Sequence, residues 1–386
     1  MRYPLPANFV LIAIAWSPLA CAAAAEKNAP DGVSASQPSA VIGGPAAPAV
    51  KETWDSEPRQ AALRLQLFLD KEGFGPGKID GRWGGFSQKA AERWNAAANG
   101  SKIPILESGQ LDPAQMKEIP FSEEQLTSYE ITDQDQARIG TLPGKPREMA
   151  KLKELPYTSL LELVAEKFHA DADYLREINA LPADGDLKVG SKVKVPNVAK
   201  PFDIAEPLAL FKAAEEMKAE EEKAREKKAE ATKAEKKKAP QPPTDDANNA
   251  ESDMELTVLR QDRVVELRQG GKLIRSFPIS PGASDNQSPA GNWKVAVISW
   301  MPKFRWDKSM LEEGKRSDNA YLLPPGPNNP VGIVWIGLSA DGIGLHGTPF
   351  PDAIGRNQSH GCIRLSNWDA LDLGKTVTVG TRVVVK

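Results

Sequence analysis

The chain has 386 residues, more than one ordinary domain holds, and its length predicts two or three. Its formal net charge is −3, so no global basic field points to nucleic acid as a partner. The 32 Pro and 30 Gly residues predict many linkers and turns, and the 26% charged residues are unevenly spread.

Arg2 supplies a thin positive start, Phe9 to Ala15 a short apolar core, and small residues run from Ala20 to Ala25. That run is far shorter than the ~20 residues that span a bilayer. Residues 1–25 therefore read as an export signal cleaved after Ala24 or Ala25, and no transmembrane helix is expected in the mature chain. The rival reading is a lipid anchor on Cys21, weakened by Pro18 where a Leu is usual. The only cysteines are Cys21 and Cys362. Cleavage would leave Cys362 alone, with no intramolecular disulfide to form. Such a thiol in an oxidising compartment is a liability unless it is buried or does chemistry.

Residues 26–56 are rich in Ala, Pro, Ser and Gly and read as a disordered tether. In residues 57–100, Ala62, Leu65, Leu69 and Phe74 fall at helical spacing. Gly73, Gly75 and Gly77 break that helix, Ile79-Asp80-Gly81 turns the chain, and a second helical run carries Ala90, Ala91 and Trp94. With Gly-Phe and Ile-Asp-Gly-Arg-Trp-Gly in place, this stretch resembles the small helical peptidoglycan-binding domain of wall hydrolases. A generic helical hairpin is the plainer alternative.

Residues 101–153 carry no assignment. In residues 154–198, one amphipathic helix holds Leu160, Leu161, Val164, Ala165 and Phe168, and a second holds Tyr174, Leu175 and Ile178. A short strand follows at Val193 to Val195. That order resembles a LysM module, whose opening strand is poorly marked, and the resemblance implies binding to N-acetylglucosamine polymers. His169 reads as an ordinary surface or helix-end histidine, since nothing nearby completes a metal site. Residues 205–253 form a charged spacer and a Pro-rich linker. Lys212 to Lys238 has no apolar face, which fits a solvated helix and not a coiled coil.

From residue 254 the texture changes to strands, with Gln269-Gly270-Gly271-Lys272 as a hairpin signal. Further strands are predicted within Gly291 to Trp300, Gly332 to Leu338 and Thr381 to Val385, and a helix at Asn367 to Gly374. Residues 254–386 are thus a mainly β domain. Its chemistry clusters in His346-Gly347 and Ser359-His360-Gly361-Cys362-Ile363-Arg364. A free thiol has a pKa near ~8.5, and a neighbouring imidazole can take its proton. Gly361 leaves room for close backbone approach, and nearby N–H groups could form an oxyanion hole. Spacing alone does not rank His346 against His360 as the base. A zinc site from His346, His360 and Cys362 lacks a fourth ligand, so neither metal nor cofactor is expected.

These motifs, with Ile354-Gly355-Arg356 and Leu323-Pro324-Pro325-Gly326-Pro327, resemble the L,D-transpeptidase (YkuD) catalytic domain, which implies a β-sandwich type of fold. The resemblance implies Cys362 as nucleophile, His346 as base and the Gly347 carbonyl as holder of the imidazole. It places His360 and Arg364 beside the substrate peptide and gives Ser359 and Gly361 to the supporting loop. It also implies a bacterial periplasm or cell-envelope location, with peptidoglycan as partner. The tetrapeptide stem would be taken as a Cys thioester with release of D-alanine, then passed to an amine as a 3→3 cross-link. Water as acceptor would make an L,D-carboxypeptidase, and a lipoprotein lysine an anchoring enzyme. A catalytically dead wall-binding protein is the alternative from another class.

Overall fold

The computed structural model describes residues 53–97, 102–112, 124–234, 253–282, 288–313, 315–356 and 361–386. The export segment with Cys21, residues 26–52 of the tether, the linker after residue 234, and the site candidates Ser359 and His360 lie outside the described residues.

The first part begins with helices α1 (Glu57–Lys71) and α2 (Gly85–Ala97). Strand β1 (Leu126–Glu130), short helices α3 (Asp133–Gln136) and α4 (Pro146–Met149), and helices α5 (Leu160–Lys167) and α6 (Ala172–Ile178) follow. Strand β2 (Lys192–Pro196) and the long α7 (Ala205–Ala234) complete this part.

The second part opens with β3 (Met254–Leu259), β4 (Val264–Gln269), β5 (Lys272–Pro278) and β6 (Gly291–Trp300). Next come β7 (Phe304–Asp307), α8 (Lys308–Glu313), β8 (Ala320–Leu323), β9 (Val334–Leu338) and β10 (Gly344–His346). Strand β11 (Ile363–Arg364), helix α9 (Asn367–Thr376) and β12 (Arg382–Val385) close the chain.

The second part is mainly β. Eight strands are hydrogen-bonded in the single order β11-β10-β9-β6-β12-β3-β4-β5, and β7 and β8 form a separate hairpin. Where a sandwich would divide its strands between two sheets, β6 links both halves here: Gly291 to Lys294 pair with β12, and Val295 to Trp300 pair with β9. A register shift between Val295 and Val297 interrupts that pairing, and such a bulge bends and twists a strand. The curl follows from it. Gly270 and Gly271, both at positive φ, make the two-residue turn between β4 and β5.

The amino-terminal elements are not beads on a string. Gly75 N–H donates to the Ser276 carbonyl at 2.7 Å, and Ser276 N–H to the Gly73 carbonyl at 3.1 Å, so the 73–75 turn covers the open edge at β5. Leu273 of β5 lies in one apolar cluster with Leu65, Phe68, Leu69, Phe74 and Ala90. Arg93 of α2 reaches Asp262 and Glu266 at 2.8 and 3.2 Å.

The segment left without assignment holds a strand. Leu126–Glu130 pairs antiparallel with Lys192–Pro196, so the two-stranded ribbon begins upstream of the 154–198 boundary read from sequence. The expected charged helix starts earlier than its charge run. Leu208 and Phe211 pack on the main core before the polar stretch leaves it. At 30 residues and 1.5 Å each, α7 spans about 45 Å.

His169 departs from its sequence reading as a surface histidine. It is buried, its Nδ1 lies 2.8 Å from Asp70 Oδ1, and its ring stacks on Trp368 of α9 at 5.2 Å. Asp70 and Trp368 lie 99 and 199 positions away, on other elements, so local pattern gave no sign of either.

Candidate active site

The site grows from two very short strands. Parallel pairing sets Leu345 opposite Ile363 and His346 opposite Arg364. Side chains alternate in direction along a strand, so His346 and Arg364 share one face. Cys362 immediately precedes β11, two positions before the Arg364 that pairs with His346. Leu345 and Ile363, on the opposite face, are fully buried and anchor both strands in the core.

The imidazole of His346 is 2% exposed and lies flat against Trp335 of β9, with ring centroids 5.6 Å apart. Its Nδ1 is 2.6 Å from the Gly347 carbonyl oxygen. A carbonyl only accepts, so Nδ1 carries the proton and Nε2 keeps its lone pair. Burial pushes the imidazole down to about 3, and the Arg364 charge adds to that, while the Gly347 carbonyl acts in the other direction. The ring is neutral at ordinary pH and oriented to take a proton.

Cys362 is buried with its sulfur 3.4 Å from the Gly342 carbonyl oxygen, to which a thiol could donate. The sulfur is disulfide-bonded in this structure, where the expectation of a lone Cys362 applied to a chain cleaved after residue 24 or 25. The other cysteine of the sequence, Cys21, lies outside the described residues. Gly361 adopts φ +111°, a conformation L side chains rarely take, and the Ser288 hydroxyl donates to its carbonyl at 2.7 Å. The turn before the sulfur is thus held in a glycine-only geometry.

Arg364 exchanges backbone hydrogen bonds with Ser280, donating at 2.9 Å and accepting at 3.0 Å. Its guanidinium is largely buried, and Nη2 has no hydrogen-bond partner among the described residues. That leaves a desolvated donor two positions along the chain from Cys362. No group of three or more His, Cys, Asp or Glu able to hold a metal occurs among the described residues.

The sequence motifs named Cys362, His346, Gly347, Gly361 and Arg364; the β10–β11 pairing sets His346 opposite Arg364, with Gly361 and Cys362 just before β11. They gave no sign of Trp335, Ser288, Gly342 or Asn367. Of these, only the Gly332, Gly347 and Asn367 combination could have raised suspicion, and only once the fold had set them side by side.

Residues 253–385 match the family model of the L,D-transpeptidase catalytic domain, YkuD. The chain is similar to YqjB of Bacillus subtilis, 33% identical over 114 residues, covering 28% of this chain and 57% of that protein. YkuD of Bacillus licheniformis is 30% identical over 130 residues, covering 34% and 64%. Both relatives bear the name L,D-transpeptidase, and the chain spans about three fifths of their length. The crystal structure of L,D-transpeptidase 3 from Mycobacterium tuberculosis aligns at 20% identity and a TM-score of 0.29, over 35% of this chain and 60% of that one.

Proposed function

We propose that the protein is an exported cysteine L,D-transpeptidase acting on peptidoglycan stems in the cell envelope. The observation that carries the reading is the neutral, carbonyl-anchored His346, paired across the sheet with Arg364 two positions after Cys362. With an imidazole this hard to protonate, a resting thiolate–imidazolium pair is disfavoured. The proton therefore leaves sulfur as the sulfur attacks.

In the first half-reaction His346 Nε2 takes the Cys362 proton, and sulfur bonds to the carbonyl carbon of the third stem residue. The imidazolium then returns the proton to the leaving nitrogen as the bond to D-alanine breaks, leaving a thioester. In the second half, an amine of a neighbouring stem gives its proton to His346, attacks the thioester carbonyl and expels sulfur, which recovers a proton. The product is a 3→3 cross-link. Backbone N–H groups around Gly361 and Cys362 would receive the oxyanion. Arg364 and His360 would border the stem peptide, with Ser359 supporting the loop, and the amino-terminal modules would hold the wall.

Mass analysis of products from the reduced protein and a tetrapeptide-stem fragment tests this. Cross-linked dimer with loss of D-alanine is the expected result. Release of D-alanine with only trimmed tripeptide would move the assignment to an L,D-carboxypeptidase. An unchanged fragment would overturn it.

A further inference from the structure

The Gly347 backbone that anchors His346 packs against Asn367, whose amide is bonded to a residue outside the catalytic domain. Asn367 is fully buried at the first turn of α9, where the Ser366 side chain caps the helix by accepting from Asp369 N–H at 3.2 Å. Its Oδ1 accepts from Ile333 N–H at 3.3 Å and lies against the Cα atoms of both Gly332 and Gly347. A methyl group on either glycine would overlap that oxygen, and one on Gly332 would also come within 2.5 Å of the Gly347 carbonyl carbon. The amide oxygen thus fills a notch made by the two glycines next to the catalytic imidazole.

The other end of that amide faces the amino-terminal part of the chain. Asn367 Nδ2 donates to Glu166 Oε1 at 2.7 Å and to the Pro327 carbonyl at 3.3 Å. Glu166 belongs to α5, 201 positions away, and its second oxygen accepts from the Tyr157 hydroxyl. Both partners are buried. A carboxylate placed there is costly unless each oxygen is satisfied, and each one is.

We propose that Glu166 is a positioning residue for the reaction. It fixes the Asn367 amide, the amide fixes the Gly332–Gly347 contact, and that contact sets the carbonyl that aims His346. The amino-terminal module would then complete the catalytic geometry in addition to any wall binding. This rests on His346 acting as the base in the proposed function.

The alternative is a pin that only joins two modules, and the test separates the two. In the reduced full chain, Glu166→Ala should lower kcat on the tetrapeptide stem roughly 10–100-fold, as lost outer-shell support does at other sites, with KM within about twofold. Asn367→Asp, which sets two carboxylates against each other, should lose a similar amount. Combining it with Glu166→Gln restores a donor and an acceptor with reversed direction and should recover most of the loss. A structural pin would lower the melting temperature while leaving kcat of the folded protein within twofold, and that result would overturn the proposal. If Glu166→Ala fails to fold, the Asn367→Asp variant and its rescue decide alone.

Alkylation of reduced Cys362 by iodoacetamide needs no stem substrate. If wild-type protein ignores stems but His346→Ala and Glu166→Ala slow alkylation alike, the functional reading fails and the positioning role stands. If stems are cross-linked yet neither Glu166→Ala nor Asn367→Asp slows turnover or alkylation, the positioning role falls and the function stands.

Discussion

Two buried histidines, His169 after α5 and His346 at the end of β10, are tuned in opposite directions. Burial lowers both, as it disfavours any charged form. At His169 the Asp70 carboxylate outweighs burial, helped by Asp369 and Asp372, and the imidazole is held above its ordinary value. At His346 the partner is a carbonyl with no charge, and the ring stays near 3. A carboxylate both orients an imidazole and charges it, whereas a carbonyl orients it and leaves it neutral. The first ties α1 to the turn after α5 and to α9; the second leaves a neutral, oriented imidazole.

The largest effects should come from the neutral partner and its nucleophile. Cys362→Ala should abolish turnover, and His346→Ala should lower kcat by roughly 10²–10⁴-fold, both with little change in melting temperature. Product mass spectrometry and calorimetry check both halves. Equal loss from His169→Ala would erase the distinction between the two histidines. That variant should instead leave the Asp70 charge buried and unpaired, at a cost in stability of about 3 kcal/mol, with turnover by the folded protein largely kept.

The pH dependence of stability sharpens the contrast, because the signs differ. His169 is raised when folded, so its contribution is full below its unfolded value and is lost as pH rises through the folded one. His346 is depressed, so its contribution is present above the ordinary 6.5 and is lost as pH falls toward about 3. Glu166 and Asp369, both pushed up to about 7 chiefly by burial, add a loss of stability as pH rises toward that value. Differences between wild-type and His169→Gln or His346→Gln melting curves from pH 4 to 8 isolate each histidine. Slopes of the same sign would contradict the assignment.

Smaller effects should follow at the periphery. If Arg364 borders the stem as proposed, Arg364→Ala should raise KM for the stem more than it lowers kcat, since its Nη2 has no hydrogen-bond partner among the described residues. Lys218→Ala on α7 removes one exposed pair with Glu215 and should move stability by less than about 0.5 kcal/mol. A chain starting near residue 250 would expose Leu273 and Trp368, and should melt lower than the full chain.

Local pattern was enough for much of this. The Gly270-Gly271 turn, the β4 and β5 runs, the capped helix at Asn367 and the apolar faces of α1 and α5 follow from propensities acting over a few residues. So does the grouping of His346 with Cys362, because the motif itself is short. Strands β10 and β11 are three and two residues long, too short for a period of two to show, and they exist through pairing with β9 and with each other. The β7–β8 hairpin was hidden by the Pro-rich sequence around it.

By itself the sequence singled out the candidate atoms for chemistry: a cysteine, an imidazole and the glycines that let backbone come close. Tertiary structure decided their state. Which way a buried histidine is tuned depends on what reaches it, the distant Asp70 for His169 and the adjacent Gly347 carbonyl for His346, behind which stand Asn367 and Glu166. Asp70 lies 99 positions from His169 and Glu166 lies 201 from Asn367, and the field that a folded interior sets up at one ring is a property of three-dimensional burial, which no local pattern encodes.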